Sequence, residues 1–151
     1  MKLDLKEYLA KLLTPKVVYI AGSDFTFESG HGSGTIGGDG IRIIISNNTV
    51  AFTGQLNCGN FTFGSSGTPY MRTAKPSELP ANATYTPAGI GRWGTAGGNT
   101  PNASTYSIRD RFWVQTDANY MYVRSANFLA GSGNGWLELI FFGATFPLAG
   151  V

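Results

Sequence analysis

Few residues in this 151-residue chain are equipped for catalysis or metal binding. His31 is the only histidine and Cys58 the only cysteine, so a triad or a nitrogen- or sulfur-ligated metal site would have to be built on one of them. Asp24, Glu28 and Asp39 lie near His31 in sequence, but their spacing matches no calcium-loop pattern, and His31 reads as a solvated loop residue. No serine is centred in a G-x-S-x-G elbow. Cys58 has no histidine nearby, and its neighbours Leu56 and Phe61 mark it as a small buried hydrophobe. Asp110, Asp117 and Glu138 fall on neighbouring predicted strands, where a carboxylate pair could cleave a glycosidic bond. Scattered over a β surface, the same carboxylates simply confer solubility. No catalytic residue, metal ligand or cofactor is therefore assigned.

Two segments match the dinucleotide fingerprint, Gly32-Ser-Gly-Thr-Ile-Gly37 and Gly89-Ile-Gly-Arg-Trp-Gly94. That fingerprint works only when its glycines close a strand and open a helix that receives the pyrophosphate. Neither segment is followed by a helical pattern, and 21 glycines make chance matches common. Binding chemistry is better served by Arg92 and Trp93, which read as part of an extended loop where an indole can stack on a sugar face or fill a partner's pocket. Trp113, Tyr120 and Tyr122 offer a second aromatic group, for which packing in the core or at a subunit contact is the favoured reading. Asn47, Asn60, Asn82 and Asn102 begin N-x-S/T sequons, which carry no weight without a secretory signal.

The elements that must position these residues are nearly all strands. Leu5, Leu9 and Leu12 recur at i, i+4 and i+7, and Leu13 widens the stripe, so residues 1–15 form one amphipathic helix closed by Pro15. Residues 16–151 form an all-β domain: an antiparallel sandwich or jelly roll with long loops. Residues 16–21 make its first strand, and Phe25 and Phe27 a short second one. Ile41, Ile43 and Ile45 share a strand face that returns through Asn47-Asn48 to Val50 and Phe52. Residues 56–63 are a further strand with a bulge at Gly59. Short strands follow at 70–73 and 83–86, then a hairpin turning at 117–119, then a buried strand over 136–142 that ends before Gly143. The count is eight to ten strands, with no helical pattern between them.

Totals narrow the function further. Gly, Ser, Thr and Asn supply more than a third of the chain beside many aromatics, which excludes disorder. The net charge of +2 is held entirely by residues 1–16, leaving a near-neutral body without the basic stripe that nucleic acid requires. Apolar runs are of strand length, so membrane insertion is not expected, and no secretory signal is read at the N-terminus.

The opening LDLKEYLAKLLTPKVV, its Pro-Lys hinge and the glycine- and threonine-rich β body ending in WLELIFFGATFPLAG together resemble small structural proteins of tailed bacteriophages and prophages, of the fibre-tip, receptor-binding or head-fibre kind. That resemblance implies a non-enzymatic virion component: a homotrimer whose helices, through Leu5, Leu9 and Leu12, bundle or attach to other virion proteins. Its β domains would pack around the threefold axis and present loops to a bacterial surface glycan or protein. A carbohydrate-binding β-sandwich using Arg92 and Trp93 is the competing expectation, and a polysaccharide-degrading enzyme a third. A helix of about one and a half heptads cannot hold three chains alone, so the β domains would have to share the interface.

Overall fold

The computed structural model describes residues 4–28, 35–62, 69–94, 108–125 and 134–150. Helix α1 spans Leu5–Leu13, and its N-cap Asp4 accepts the Lys6 amide on Oδ1 at 3.0 Å. At the other end the Thr14 amide and hydroxyl both donate to the Ala10 carbonyl, and Pro15 bars a further turn. Among the described residues nine strands follow: β1 Lys16–Ile20, β2 Thr26–Phe27, β3 Ile36–Ser46, β4 Thr49–Thr62, β5 Pro69–Ala74, β6 Thr84–Gly94, β7 Ile108–Thr116, β8 Tyr120–Arg124 and β9 Asn134–Pro147. They pair antiparallel in a single sheet of order β1-β3-β4-β9-β6-β7-β8-β5-β2.

The domain is thus all-β and antiparallel behind one short helix, and its layers come from one sheet curling over its own core. Strand alternation supplies that core. Ile41, Ile43, Val50, Phe52, Leu56, Tyr85, Phe112, Val114, Met121, Val123, Leu137 and Leu139 all point inward, and strands from both halves of the sheet meet in one cluster. The curl brings the sheet's two ends together: Val18 and Ile20 of β1 share a groove with Thr73 and Ala74 of β5 and with Lys75, Pro76 and Glu78 beyond it, and Lys16 pairs with Glu78 at 2.5 Å. Between β1 and β2 a 3₁₀ turn at Gly22–Asp24 carries the chain across, closed by the Ala21 amide donating to Asp24 Oδ2 at 3.1 Å.

Several elements are longer than their sequence signals. Strand β4 runs unbroken through Gly54 (φ +123°) and keeps going past the expected bulge, where its register against β9 shifts between Cys58 and Phe61. Gly143 does not end β9: with φ +72° it takes up a second register shift, opposite Ala51 to Thr53, and the strand continues to Pro147. The segment 136–142 is not buried throughout: Trp136 to Leu139 and Phe141 are buried, whereas Ile140 and Phe142 on the outer face are 44% and 47% exposed. Arg92 and Trp93 belong to β6, paired with Glu138 and Leu137 of β9, and not to a loop. Both glycine fingerprints end in strands, which rules out the helix that nucleotide binding needs. Cys58 is buried, and burial pushes its thiol up to about 12, so it is an inert core residue. The C-terminal segment is tied down by the Leu148 amide donating to the Asn48 carbonyl and the Tyr85 hydroxyl donating to the Leu148 carbonyl, at 2.6 and 2.7 Å.

The strand ends sort into two poles. At one lie Lys16, the 47–48 turn, the 75–83 connection, the 117–119 turn and residues 147–150. At the other lie Phe27, Ile36, Thr62, Pro69, Gly94, Ile108, Arg124 and Asn134.

Close passage of the central strands depends on glycine at position 89. A Cβ on Gly89 would lie 2.1 Å from the Ile140 carbonyl oxygen and 2.2 Å from the Phe112 ring. Neither can retreat without opening the β6–β9 ladder or the core. Gly89→Ala is expected to destabilise the domain by about 3 kcal/mol or more, read as a lowered urea midpoint.

Candidate functional site

Three outward surfaces carry the candidate functional residues, and the sheet's alternation decides what each contains. On β6 and β9 the residues facing away from the core are Ile90 and Arg92, and Glu138, Ile140 and Phe142. Register sets Ile90 beside Ile140 and Arg92 beside Glu138, and together they line a shallow concavity of about 460 Å³. Glu138 is only 8% exposed, and its two oxygens are held from opposite strands: Arg92 Nε donates to Oε2 and Gln55 Nε2 to Oε1, both at 2.6 Å. The Arg92 guanidinium also lies 5.8 Å from the centre of the Trp136 ring. Arg92 is therefore committed to its neighbours, and Glu138, read from sequence as one of several solubilising carboxylates, is a nearly buried ion-pair partner. The Trp93 and Asp110 side chains, and His31, lie outside the described residues.

The second surface belongs to α1. Leu5, Tyr8, Leu9 and Leu13 are all exposed on the chain's own fold, Leu5 and Leu13 by 67% and 63%. The Leu12 side chain lies outside the described residues. On the edge strand that follows, Val17 and Tyr19 of β1 are each 55% exposed.

A third surface lies on β5, β8 and β7, whose outward residues include Arg72, Tyr120, Tyr122, Arg124, Trp113 and Gln115. Tyr120 and Tyr122, favoured from sequence as packing residues, point away from the core, and their ring centres are 6.1 Å apart. The Arg72 guanidinium lies 4.3 Å from the centre of the Tyr120 ring, and its Nε is 3.0 Å from Glu28 Oε1. Asp117 organises the β7–β8 turn: Oδ1 accepts the Asn119 and Tyr120 amides at 2.7 Å each, and Oδ2 accepts the Tyr122 hydroxyl at 2.6 Å. Arg124 Nη1 donates to Gln115 Oε1. Sequence reading missed Arg72, Gln115 and Arg124 because nothing local joins them; only the register of three strands does. Among the described residues no three His, Cys, Asp or Glu side chains gather as a metal site. No helix there is long and apolar enough to cross a membrane.

Compared with known proteins, the chain matches no family model, no curated protein and no solved structure.

Two measurements test this geometry. Arg92→Met strips Glu138 of its cation and is expected to cost about 2–3 kcal/mol, less than a fully buried pair because Arg92 is 36% exposed. The double variant with Glu138→Leu should recover most of that loss in the same urea titrations. The Tyr122 hydroxyl, with the Asn119 and Tyr120 amides, holds the Asp117 carboxyl below its ordinary value. Its contribution is present above the unfolded carboxyl pKa and lost as pH falls through the lower folded one. Between about pH 5 and about pH 3 the urea midpoint should therefore fall further for the native chain than for Asp117→Asn.

Proposed function

We propose that this chain is a non-enzymatic, self-associating structural module, with α1 as the element that joins copies to each other or to a larger particle. The observation that carries this reading is the exposed leucine face of α1. An isolated helix of this length is marginal in water, and an amphipathic one earns its place by burying its apolar side. On its own domain that side stays open at Leu5, Leu9 and Leu13, so its partner belongs to another chain. Val17, Tyr19, Ile90, Ile140 and Phe142, all exposed on the outer face of the sheet, would extend the contact that so short a helix cannot make alone.

The two poles fit the same reading. The helix enters at one, while the segments 29–34, 63–68, 95–107 and 126–133 all join strand ends at the other and contain no Lys, Arg, Asp or Glu. An attachment end opposite an uncharged presenting end is what a fibre or receptor-binding subunit needs. The resemblance of the sequence to bacteriophage structural proteins supports a virion setting and a trimer, with a bacterial surface as the object presented to.

Light scattering tests the association. At micromolar concentration the native chain should have a mass that is a multiple of 16.1 kDa, three times that value for a trimer. Leu5→Glu with Leu9→Glu should raise the dissociation constant on the order of a hundredfold and leave the thermal melt of the β domain in place. A native chain that is strictly monomeric would overturn the reading; loss of folding in the variant would return these leucines to the domain's own core.

A further inference from the structure

The outward face of β7, β8 and β5 contains a concavity of about 320 Å³ lined by Glu28, Asn82, Gln115, Thr116, Asp117, Tyr122 and Arg124. We infer that it is a binding site for a neutral, polyhydroxylated ligand, a sugar or short uncharged oligosaccharide. Its lining shares no residue with the concavity around Arg92 and Glu138 or with α1, and it does not depend on self-association.

The charges there are already matched. Glu28 faces Arg72, Asp117 is saturated by a phenol and two amides, and Arg124 is engaged by Gln115. Two carboxylates and two guanidinium groups leave no net charge to draw an ion. What remains is hydrogen-bonding capacity held on rigid strands. The Gln115 carbonyl is taken by Arg124, which fixes the amide and leaves its NH₂ group as a double donor. Arg124 Nε is buried with no acceptor among the described residues. The Asn82 side chain, on a backbone at φ +60°, adds a donor and an acceptor on one planar group. The Asn82 amide, a donor and an acceptor side by side, matches adjacent hydroxyls that each give and accept, and the Gln115 NH₂ adds donors beside it.

Beside these groups lie the rings of Tyr122, within the concavity, and Tyr120, 37% exposed next to it. Their phenol faces can cover the C–H face of a pyranose, and two χ angles each make them inexpensive to order. Asp117 holds the Tyr122 ring by its hydroxyl, and the Arg72 guanidinium braces the Tyr120 ring. Ring and amides are therefore positioned before any ligand arrives, the condition under which a small polar ligand gains measurable affinity. A site without net charge discriminates against acidic sugars, which would bring an unpaired carboxylate or sulfate to Glu28 and Asp117.

The test uses the full chain and a panel of methyl glycosides of glucose, galactose, mannose and N-acetylglucosamine with their uncharged oligomers, followed by saturation-transfer NMR and calorimetric titration. At least one neutral glycoside should bind, shift the Tyr120 and Tyr122 ring resonances, and keep its affinity between about 50 and about 500 mM salt. Gln115→Glu keeps the contact to Arg124 and replaces the donating NH₂ with an oxygen; Asn82→Asp likewise tolerates the positive φ. Each should weaken binding about tenfold or more, with the thermal melt and the mass in solution unchanged. The inference is overturned if no neutral glycoside binds, if both variants bind as the native chain does, or if only acidic sugars bind and salt abolishes it. Self-association is read separately by mass, so either reading can fail without the other.

Discussion

Every strand of this sheet has an inner and an outer face, and a single layer has nothing but itself to cover the inner one. Curling is the way such a sheet removes a row of Ile, Val, Leu and Phe from water, and it requires close passage at the centre and contact between the ends. Gly89 provides the first, letting β6 cross between the Ile140 carbonyl and the Phe112 ring. The groove shared by β1 and the chain beyond β5 provides the second, with Lys16 and Glu78 pairing across it. Bulges at Gly143 and near Cys58 add the local bend that a flat ladder lacks.

Once the inner face is closed, the outer face is free to vary, and its chemistry follows from register alone. Three strands bring Gln55 and Arg92 within reach of Glu138 from either side, where a nearly buried carboxylate is shared by an amide and a guanidinium. Three others bring Arg72, Tyr122 and Gln115 onto a single rung. The first group is inwardly satisfied and flanked by exposed Ile90, Ile140 and Phe142; the second sets the Gln115 and Asn82 amides, and an Arg124 Nε without an acceptor among the described residues, beside aromatic rings. That difference separates a surface suited to another protein from one suited to a small polar molecule.

Much of the fold was legible in the sequence, because period-two alternation and turn residues are local signals. The helix with its Pro15 stop, the Asn47-Asn48 hairpin and the 117–119 hairpin each announced themselves within a few residues. Glycines misled where they did not interrupt a strand: Gly89, Gly91 and Gly94 hid the length of β6 and made Arg92 and Trp93 resemble loop residues, and Gly143 resembled an end when it is a bulge. The run Trp136 to Phe142 looked buried throughout because both of its faces are apolar, and only the absence of a second layer over Ile140 and Phe142 distinguishes them. Sites were the least legible part. Glu28, Arg72, Gln115 and Arg124 are spread over some hundred residues, and no local pattern encodes their meeting.

The separation of the poles has an evolutionary side. At one end of the sheet the 47–48 turn and the C-terminal segment are tied together by the Leu148 amide on the Asn48 carbonyl and the Tyr85 hydroxyl on the Leu148 carbonyl. The strand ends at the opposite pole are joined by segments that contribute no charge, and residue changes between strands leave the ladders untouched. Selection can therefore rewrite one end of the molecule rapidly while the other stays constrained by its neighbours, so lineages of this chain should diverge asymmetrically along the axis of the sheet.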